Sequence, residues 1–164
     1  MRIYIPATMN DIASDVISER TVHAHTAQLE RAADLRDVPP GEQRDVLEAM
    51  AMNAAADDSL RRLAACAETS EKAAEPRRVV IVAEVADSAL ASPGEADQLP
   101  TARILTRPVH WKHVESIHID DDEALDDISD AMAGDEAAFE RSYEHELMWY
   151  DVTERDDLIN VIVR

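Results

Sequence analysis

The chain has 164 residues, and its 35 acidic against 16 basic residues give a net charge of −19. This length favours a single domain, and an apolar share of 46% is enough for a hydrophobic core, which argues against global disorder. The charge argues against nucleic-acid and anionic-membrane partners, since both require clustered lysines and arginines. We therefore expect one acidic domain over residues 1–164.

The cysteine content and the apolar runs indicate a cellular location. Cys66 is the only cysteine, so an internal disulfide cannot form and no oxidising compartment is required. The opening residues lack the long apolar stretch of a signal peptide. The longest apolar run, Val79–Ala83, is far too short to cross a bilayer. We expect a cytoplasmic protein.

The acidic excess is concentrated near the end of the chain. Residues 1–119 carry 19 acidic and 13 basic residues, whereas residues 120–164 carry 16 acidic and 3 basic residues. The second segment also contains regularly spaced apolar residues, including Leu125, Ile128 and Phe139, which an acidic tail would lack. It is predicted to be folded and amphipathic.

The first half of the chain alternates between strand and helix patterns. The predicted elements are a strand at Arg2–Pro6, a helix opened by Thr8, a weak strand at Thr21–Thr26, a helix at Ala27–Leu35 and a long helical pattern at Glu42–Glu68. Thr8 and Asp11 have the spacing of a capping box. Asp57-Asp58-Ser59 favours a helix start, so the long pattern is either one helix or two.

The second half adds strands that neighbour one another in sequence. The predicted elements are a polar linker at Thr69–Pro76, strands at Val79–Val85, Arg103–Arg107, Val114–Ile119 and Leu147–Val152, a loop at Ser92–Pro100, and helices after Asp120, Gly134 and Thr153. The continuous β-branched run from Val79 predicts a central strand that is buried on both faces. The order favours an α/β (or α+β) sandwich, with a mixed sheet of about five or six strands and helices packed on it.

The main catalytic motifs are missing from the sequence. Its three glycines, Gly41, Gly94 and Gly134, are isolated, so it has no glycine-rich phosphate loop. A single cysteine excludes thiolate zinc clusters and C-x-x-C redox chemistry. The sequence predicts no cofactor.

Three predicted strands end in polar residues that open a helix. If these strands are parallel neighbours, their carboxyl ends meet in one crevice, which is where α/β sheets bind ligands. The residues of this candidate pocket are Thr8, His118, Asp120, Asp121, Tyr150 and Asp151. Helix N-capping explains the same threonine and aspartates and is the favoured interpretation.

A weaker candidate is a metal site. Imidazole and carboxylate groups bind zinc, manganese or iron, and the residues considered are His118, Asp120, Asp121 and His145. No HExxH motif or other spaced triad supports them, so polar residues on an exposed strand face or turn are the simpler interpretation.

Trp149 and Tyr150 form the densest aromatic point of the chain. They are candidates for a ligand pocket or a dimer interface. The commoner arrangement has one ring packed inward and the other at the edge of the sheet.

The opening Met1–Thr8 segment resembles an uncharacterised family of small actinobacterial proteins that begin with an MR-[VI]-Y-x-PAT pattern. The resemblance continues through Val79–Val85, through Val114–Asp121 as V-x-x-[IV]-H-[IV]-D-D, and through His145–Tyr150 as H-[DE]-L-x-W-Y. It implies an actinobacterial cytoplasmic protein and supplies no activity.

The leading hypothesis is a non-enzymatic cytoplasmic protein that self-associates, for example as a homodimer, or binds a protein partner. The first alternative is a small metal-assisted hydrolase using His118, Asp120, Asp121 and His145. The second is an acidic inhibitor that mimics nucleic acid, which requires a regular exposed stripe of acids.

Overall fold

The computed structural model describes residues 1–69, 74–94 and 99–162. The predicted linker at Thr69–Pro76 and the predicted loop at Ser92–Pro100 lie partly outside these ranges. No helix within the ranges is long and apolar enough to cross a membrane.

Within the described ranges, nine strands form a seven-stranded sheet and a two-stranded ribbon. The strands are β1 (Arg2–Ala7), β2 (Val16–Ile17), β3 (Thr21–His23), β4 (Val79–Glu84), β5 (Leu90–Ala91), β6 (Ala102–Leu105), β7 (Val109–His110), β8 (Val114–Asp120) and β9 (Leu147–Asp151). The helices are α1 (Met9–Ile12), α2 (Ala27–Ala32), α3 (Gln43–Thr69), α4 (Leu125–Met132), α5 (Glu136–Ser142) and α6 (Arg155–Ile162). The predicted α/β class is confirmed.

The large sheet has the order β5-β6-β3-β1-β4-β8-β9, and its pairings are antiparallel across the described residues. This differs from the mixed sheet of five or six strands expected from the sequence. The reason is that α2 and α3 connect β3 to β4, two strands that run in the same direction, but β1 lies between them. Because the crossover skips one strand, parallel strands do not become neighbours.

The central strand β4 is buried on both faces, as predicted. On one face, Val79 and Ile81 join a cluster that also includes Ile3 and Ile117. On the other face, Val80 and Val82 pack with Tyr4 against small residues of α3. Alternate side chains of a strand point to opposite faces, so this run can serve both layers.

The helices α1 and α6 pack together beside the first of these faces. Arg155, at the start of α6, donates from Nε to the Ile12 carbonyl and from Nη2 to the Ser14 carbonyl, both at 2.8 Å. Its guanidinium also lies 4.1 Å from the ring centre of Trp111. Arg155 therefore joins the last helix to the first.

The long helical pattern is one helix, α3, which crosses the other face. Asp57, Asp58 and Ser59 lie inside it and do not start a new helix. Ser59 shows why they are compatible with the helix. Its hydroxyl donates to the Ala7 carbonyl at 2.7 Å and accepts from the Val79 N–H at 2.8 Å. The side chain thus satisfies the ends of β1 and β4 and does not compete with its own backbone.

Candidate functional site at the outer edge of the sheet

The structure separates the six residues of the candidate pocket. Ala7 pairs with Val79, which pairs with Ile119, so Thr8 and Asp120 follow at the same end of the sheet. β9 is antiparallel to β8, which puts Tyr150 opposite Ile117. Tyr150 and its neighbour Asp151 therefore lie toward the other end of the sheet. The expected convergence of all six residues is wrong, because it assumed parallel strands.

Two of the predicted aspartates cap short 3₁₀ turns. Asp121 accepts the Glu123 N–H at 3.0 Å. Asp151 accepts the backbone N–H of Thr153 at 2.9 Å and its hydroxyl at 2.7 Å. These bonds from Thr153 hold the pKa of the Asp151 carboxyl below its usual range. Capping therefore accounts for both side chains.

Thr8 and Asp11 make the predicted contact at the start of α1. The Asp11 carboxylate accepts the Thr8 N–H at 2.8 Å. This is one half of the reciprocal capping box expected from the sequence.

Asp120 forms a buried ion pair with Arg78. The guanidinium donates from Nε to Oδ2 at 2.9 Å and from Nη2 to Oδ1 at 2.7 Å, and the Arg78 backbone N–H also donates to Oδ2 at 2.8 Å. The Arg78 side chain is 4% exposed and the Asp120 side chain is 0% exposed. Two parallel charge-assisted bonds give this pair a fixed geometry.

The residues proposed as metal ligands are each engaged elsewhere. His145 Nε2 lies 2.8 Å from Asp127 Oδ2, and a hydrogen bond with His145 is the main reason that the pKa of Asp127 is lowered. His118 Nε2 lies 3.1 Å from Ser116 Oγ. Over the described ranges, no three His, Cys, Asp or Glu side chains are grouped so that they could hold a metal ion.

A polar cleft lies between α3, β8 and the segment that connects α5 to β9. We call it the β9 cleft. It has a volume of about 380 Å³ and is lined by Met52, Asn53, Ala56, Asp57, Arg78, His118, Tyr143, His145, Glu146 and Leu147. It includes His118 from the predicted pocket and His145 from the predicted metal set, together with groups that the sequence did not single out.

Burial sets the protonation of the groups in the cleft. It lowers the pKa of His118, helped by the charge of Arg2, so the imidazole is neutral at neutral pH. Burial also raises the pKa of Asp57, against the opposing hydrogen bond from Tyr143. The Tyr143 hydroxyl donates to Asp57 Oδ2 at 2.9 Å. Burial, together with this hydrogen bond, raises the pKa of Tyr143 to about 12. The cleft therefore combines the Arg78 cation with a neutral imidazole and a neutral phenol, and with the carboxyl groups of Asp57 and Glu146.

β9 is the outermost strand of the sheet on this side. Trp149 is 60% exposed and Met148 is 48% exposed, whereas Tyr150 packs against the core. The prediction that one ring of the Trp149-Tyr150 pair turns inward and the other stays at the edge is confirmed.

The hydrogen-bond alternation identifies which backbone groups of β9 face outward. Asp120 donates its backbone N–H to Arg78 on the β4 side of β8. Because the direction of the backbone groups alternates along a strand, the N–H and C=O groups of Ile117 and Ile119 point toward β9. There they pair with those of Tyr150 and Met148. It follows that Leu147, Trp149 and Asp151 direct their N–H and C=O groups away from the sheet. The bond from the Asp151 N–H to the Glu154 side chain at 2.8 Å agrees with this alternation.

A family model described as a family of unknown function, DUF6912, matches residues 1–159. The chain belongs to this family. The resemblance to a family of unassigned activity, seen in the sequence, is thereby confirmed. Comparison with curated proteins and with solved structures gave no match.

Sequence reasoning missed three residues of the cleft in this DUF6912 protein: Asp57, Arg78 and Tyr143. Two signals for them are visible in the sequence. Arg77 and Arg78 immediately precede a strand that is buried on both faces, so at least one guanidinium needs a buried acid. The Asp57-Asp58 pair interrupts the apolar pattern of a helix at its middle, where each carboxylate needs a tertiary partner.

Proposed function

We propose that this protein is a non-enzymatic cytoplasmic protein that self-associates as a homodimer through the outer edge of β9. The observation that carries the proposal is a five-residue edge strand that exposes Trp149 and Met148 and whose outward backbone groups at Leu147 and Trp149 have no partner within the described residues. Long apolar edges usually carry a lysine, a proline or a bulge that discourages pairing. β9 carries none of these. The single cysteine, Cys66, is free, as a reducing cytoplasm would keep it.

A second copy of β9 fits this edge through a two-fold axis. An antiparallel pair centred on Trp149 places Leu147 opposite Asp151 and Met148 opposite Tyr150. The outward N–H and C=O groups of the two Trp149 residues then bond to each other. A self-complementary patch of this kind is what a two-fold dimer requires.

The charge pattern of the strand is compatible with this register. Asp151 faces Leu147, and Glu146 faces Val152, so no acid lies directly opposite another acid. Each copy still carries a net charge of −19, which opposes association at long range. Salt screens this repulsion, so dimerisation should strengthen as ionic strength rises.

The contacts favour this function over the two alternatives. Asp120 is held by Arg78, and Asp121 accepts a backbone N–H at a helical turn, so both carboxylates already have a structural role and do not favour a metal-assisted hydrolase. An acidic mimic of nucleic acid would require a regular exposed stripe of acids, and no contact among the described residues supports that arrangement. Self-association instead rests on a specific strand and a specific register.

The test is sedimentation velocity from about 1 to 100 μM protein, a range that brackets a micromolar Kd. We expect a concentration-dependent dimer for the wild type and a monomer for Trp149→Pro. Proline removes an N–H that faces outward, so the ladder to β8 keeps its bonds. Trp149→Ala retains the N–H and should weaken the dimer without abolishing it.

Met50→Ala serves as the control, because Met50 is 40% exposed on α3, away from β9. It should dimerise like the wild type. Circular dichroism melts establish that each variant is folded. A wild type that stays monomeric over the whole range, or a folded Trp149→Pro variant that still dimerises, would contradict the proposal.

A further inference from the structure

The β9 cleft contains a buried cation with hydrogen-bonding capacity left over. The Arg78 side chain is 4% exposed, and Asp120 occupies its Nε and Nη2 atoms. Nη2 also donates to the His145 carbonyl at 3.0 Å, so the other edge of the guanidinium faces a residue that lines the cleft. That edge contains Nη1, which bonds to no acceptor in the part of the chain that the structure describes.

A guanidinium N–H at such a depth needs an acceptor. Leaving a buried donor unpaired costs more than a typical hydrogen bond contributes, so buried donors are almost always paired. Nη1 itself keeps some exposure although the rest of the side chain is buried, so its N–H can be reached through the cleft. A group entering the cleft can therefore supply the missing acceptor.

The same cleft offers an acceptor for a ligand donor. Tyr143 occupies Oδ2 of Asp57, and Oδ1 accepts no hydrogen bond within the described ranges. Arg78 and Asp57 line the same cleft, and the charge of Arg78 favours the ionised form of this carboxyl. Burial raises the pKa of Asp57, as expected for a carboxylate that has lost water and gained only one donor. A ligand N–H would replace that water.

The charges in the cleft select against an anion. Asp120 neutralises Arg78, while Asp57 and Glu146 add negative charge to the lining. His118 is neutral and supplies no compensating cation. Among the remaining residues, Met52, Ala56 and Leu147 supply apolar surface beside Asn53, and this surface suits the face of a flat molecule.

We propose that the β9 cleft binds a neutral, planar small molecule that presents a carbonyl oxygen beside an N–H group, as a carboxamide or a nucleobase does. The carbonyl accepts from Arg78 Nη1, and the N–H donates to Asp57 Oδ1. The volume of about 380 Å³ lies within the range of small-molecule sites. This site does not depend on self-association, since its groups come from one chain.

Two-dimensional NMR of the ¹⁵N-labelled wild type tests the site with named probes. Nicotinamide represents a carboxamide and uracil a nucleobase, each at about 5 mM, which nearly fills a site with a Kd of about 1 mM. Nicotinate is the matched control, because it replaces the amide of nicotinamide with a carboxylate. We expect one or both neutral probes to shift the backbone amides of residues 52–57 and 143–147, and nicotinate to shift them far less. The stronger neutral probe identifies the ligand class.

The variant Asp57→Ala should weaken the binding of the active probe about tenfold, the effect of losing one charge-assisted hydrogen bond. Asp45→Ala, at an exposed position in the first turn of the same helix, should leave it unchanged. The proposal is overturned if neither neutral probe binds, if nicotinate binds as well as nicotinamide, or if the shifts lie outside the cleft. The wild-type shifts decide this even if Asp57→Ala does not fold.

Discussion

Two polar networks lie under α3, one on each side of the centre of the sheet. On the β3 side, His23 has both ring nitrogens occupied, with Nε2 at 2.7 Å from Asp58 Oδ2 and Nδ1 at 2.8 Å from Thr101 Oγ1. We call these three residues the closed network. On the β9 side, Arg78 and Asp120 form an ion pair beside a cleft.

The second group, which we call the open network, consists of Arg78 with Asp120 and of Asp57 with Tyr143. Asp57 and Asp58 are adjacent in α3, so one helix supplies an acid to each network. The difference is that neighbouring elements fill all the hydrogen-bonding positions of His23, whereas a cleft adjoins Arg78 and Asp57. A buried network with no spare donor serves structure, and one with a spare donor can also bind.

Asp120→Asn should have the largest effect on stability. It leaves the Arg78 guanidinium buried without a counter-charge, which costs about 3 to 5 kcal/mol of unfolding free energy. Urea unfolding monitored by circular dichroism measures the change. Asp122→Asn is the matched control, because Asp122 is 87% exposed in its pair with Arg77 and should cost less than about 1 kcal/mol. Equal losses of unfolding free energy in the two variants would show that the buried Arg78–Asp120 pair stabilises the fold no more than the exposed pair.

Asp58→Asn and Asp57→Asn apply the same change to adjacent residues, but only Asp58→Asn should destabilise the fold at neutral pH. Burial acts to raise both pKa values, but hydrogen bonds and charge from His23 and Arg61 outweigh it at Asp58, whose pKa is lowered. At Asp57 burial prevails and the pKa is raised. At neutral pH we expect Asp58→Asn to lose about 1 to 2 kcal/mol, and Asp57→Asn to be neutral or slightly stabilising.

The pH dependence of these two variants gives a further check. The ionised Asp58 stabilises the fold above the unfolded pKa near 3.8, so the penalty of Asp58→Asn should shrink as pH falls through its lowered folded pKa. The ionised Asp57 destabilises the fold above its raised pKa, so any gain from Asp57→Asn should vanish as pH falls toward 3.8. Unfolding curves at several pH values measure both trends. A parallel response of the two variants would contradict the comparison.

Removal of one hydroxyl from each network should cost less stability than removal of the Asp120 charge. Thr101→Val leaves His23 Nδ1 without its partner in a buried site and should cost about 1 to 2 kcal/mol. Tyr143→Phe removes a bond at a side chain that is half exposed, where water replaces the partner, and should cost less than about 0.5 kcal/mol. Thermal melts of the two variants would separate them. If Tyr143→Phe lost more stability than Thr101→Val, the assignment of the closed and the open network would be wrong.

The sequence predicted those parts of the fold whose pattern is local. The β-branched run of β4 required burial on both faces, and the spacing of Thr8 and Asp11 placed these two residues in contact at a helix start. Strand direction was not local. It depends on β1 lying between β3 and β4 in the sheet, and the sequences of β3 and β4 do not show that another strand separates them.

The site was partly predictable for the same reason. His118 was identified from its place near the end of β8. Arg78 and Tyr143 were not, because their partners Asp120 and Asp57 come from distant segments. Asp57-Asp58-Ser59 left open whether the pattern forms one helix or two, because the contacts that satisfy these side chains inside α3 come from β1, from β3 and from Tyr143.

The contacts of Arg155 also govern how fast the chain can fold. The residue bonds to Ile12 and Ser14 across separations of 143 and 141 positions. The first strand, β1, likewise pairs along its whole length with β4, which follows more than seventy positions later. Contacts of such long range slow folding, because the intervening chain must lose its entropy first. During synthesis on the ribosome, β1 and α1 therefore keep apolar surface exposed until β4 and α6 have been made.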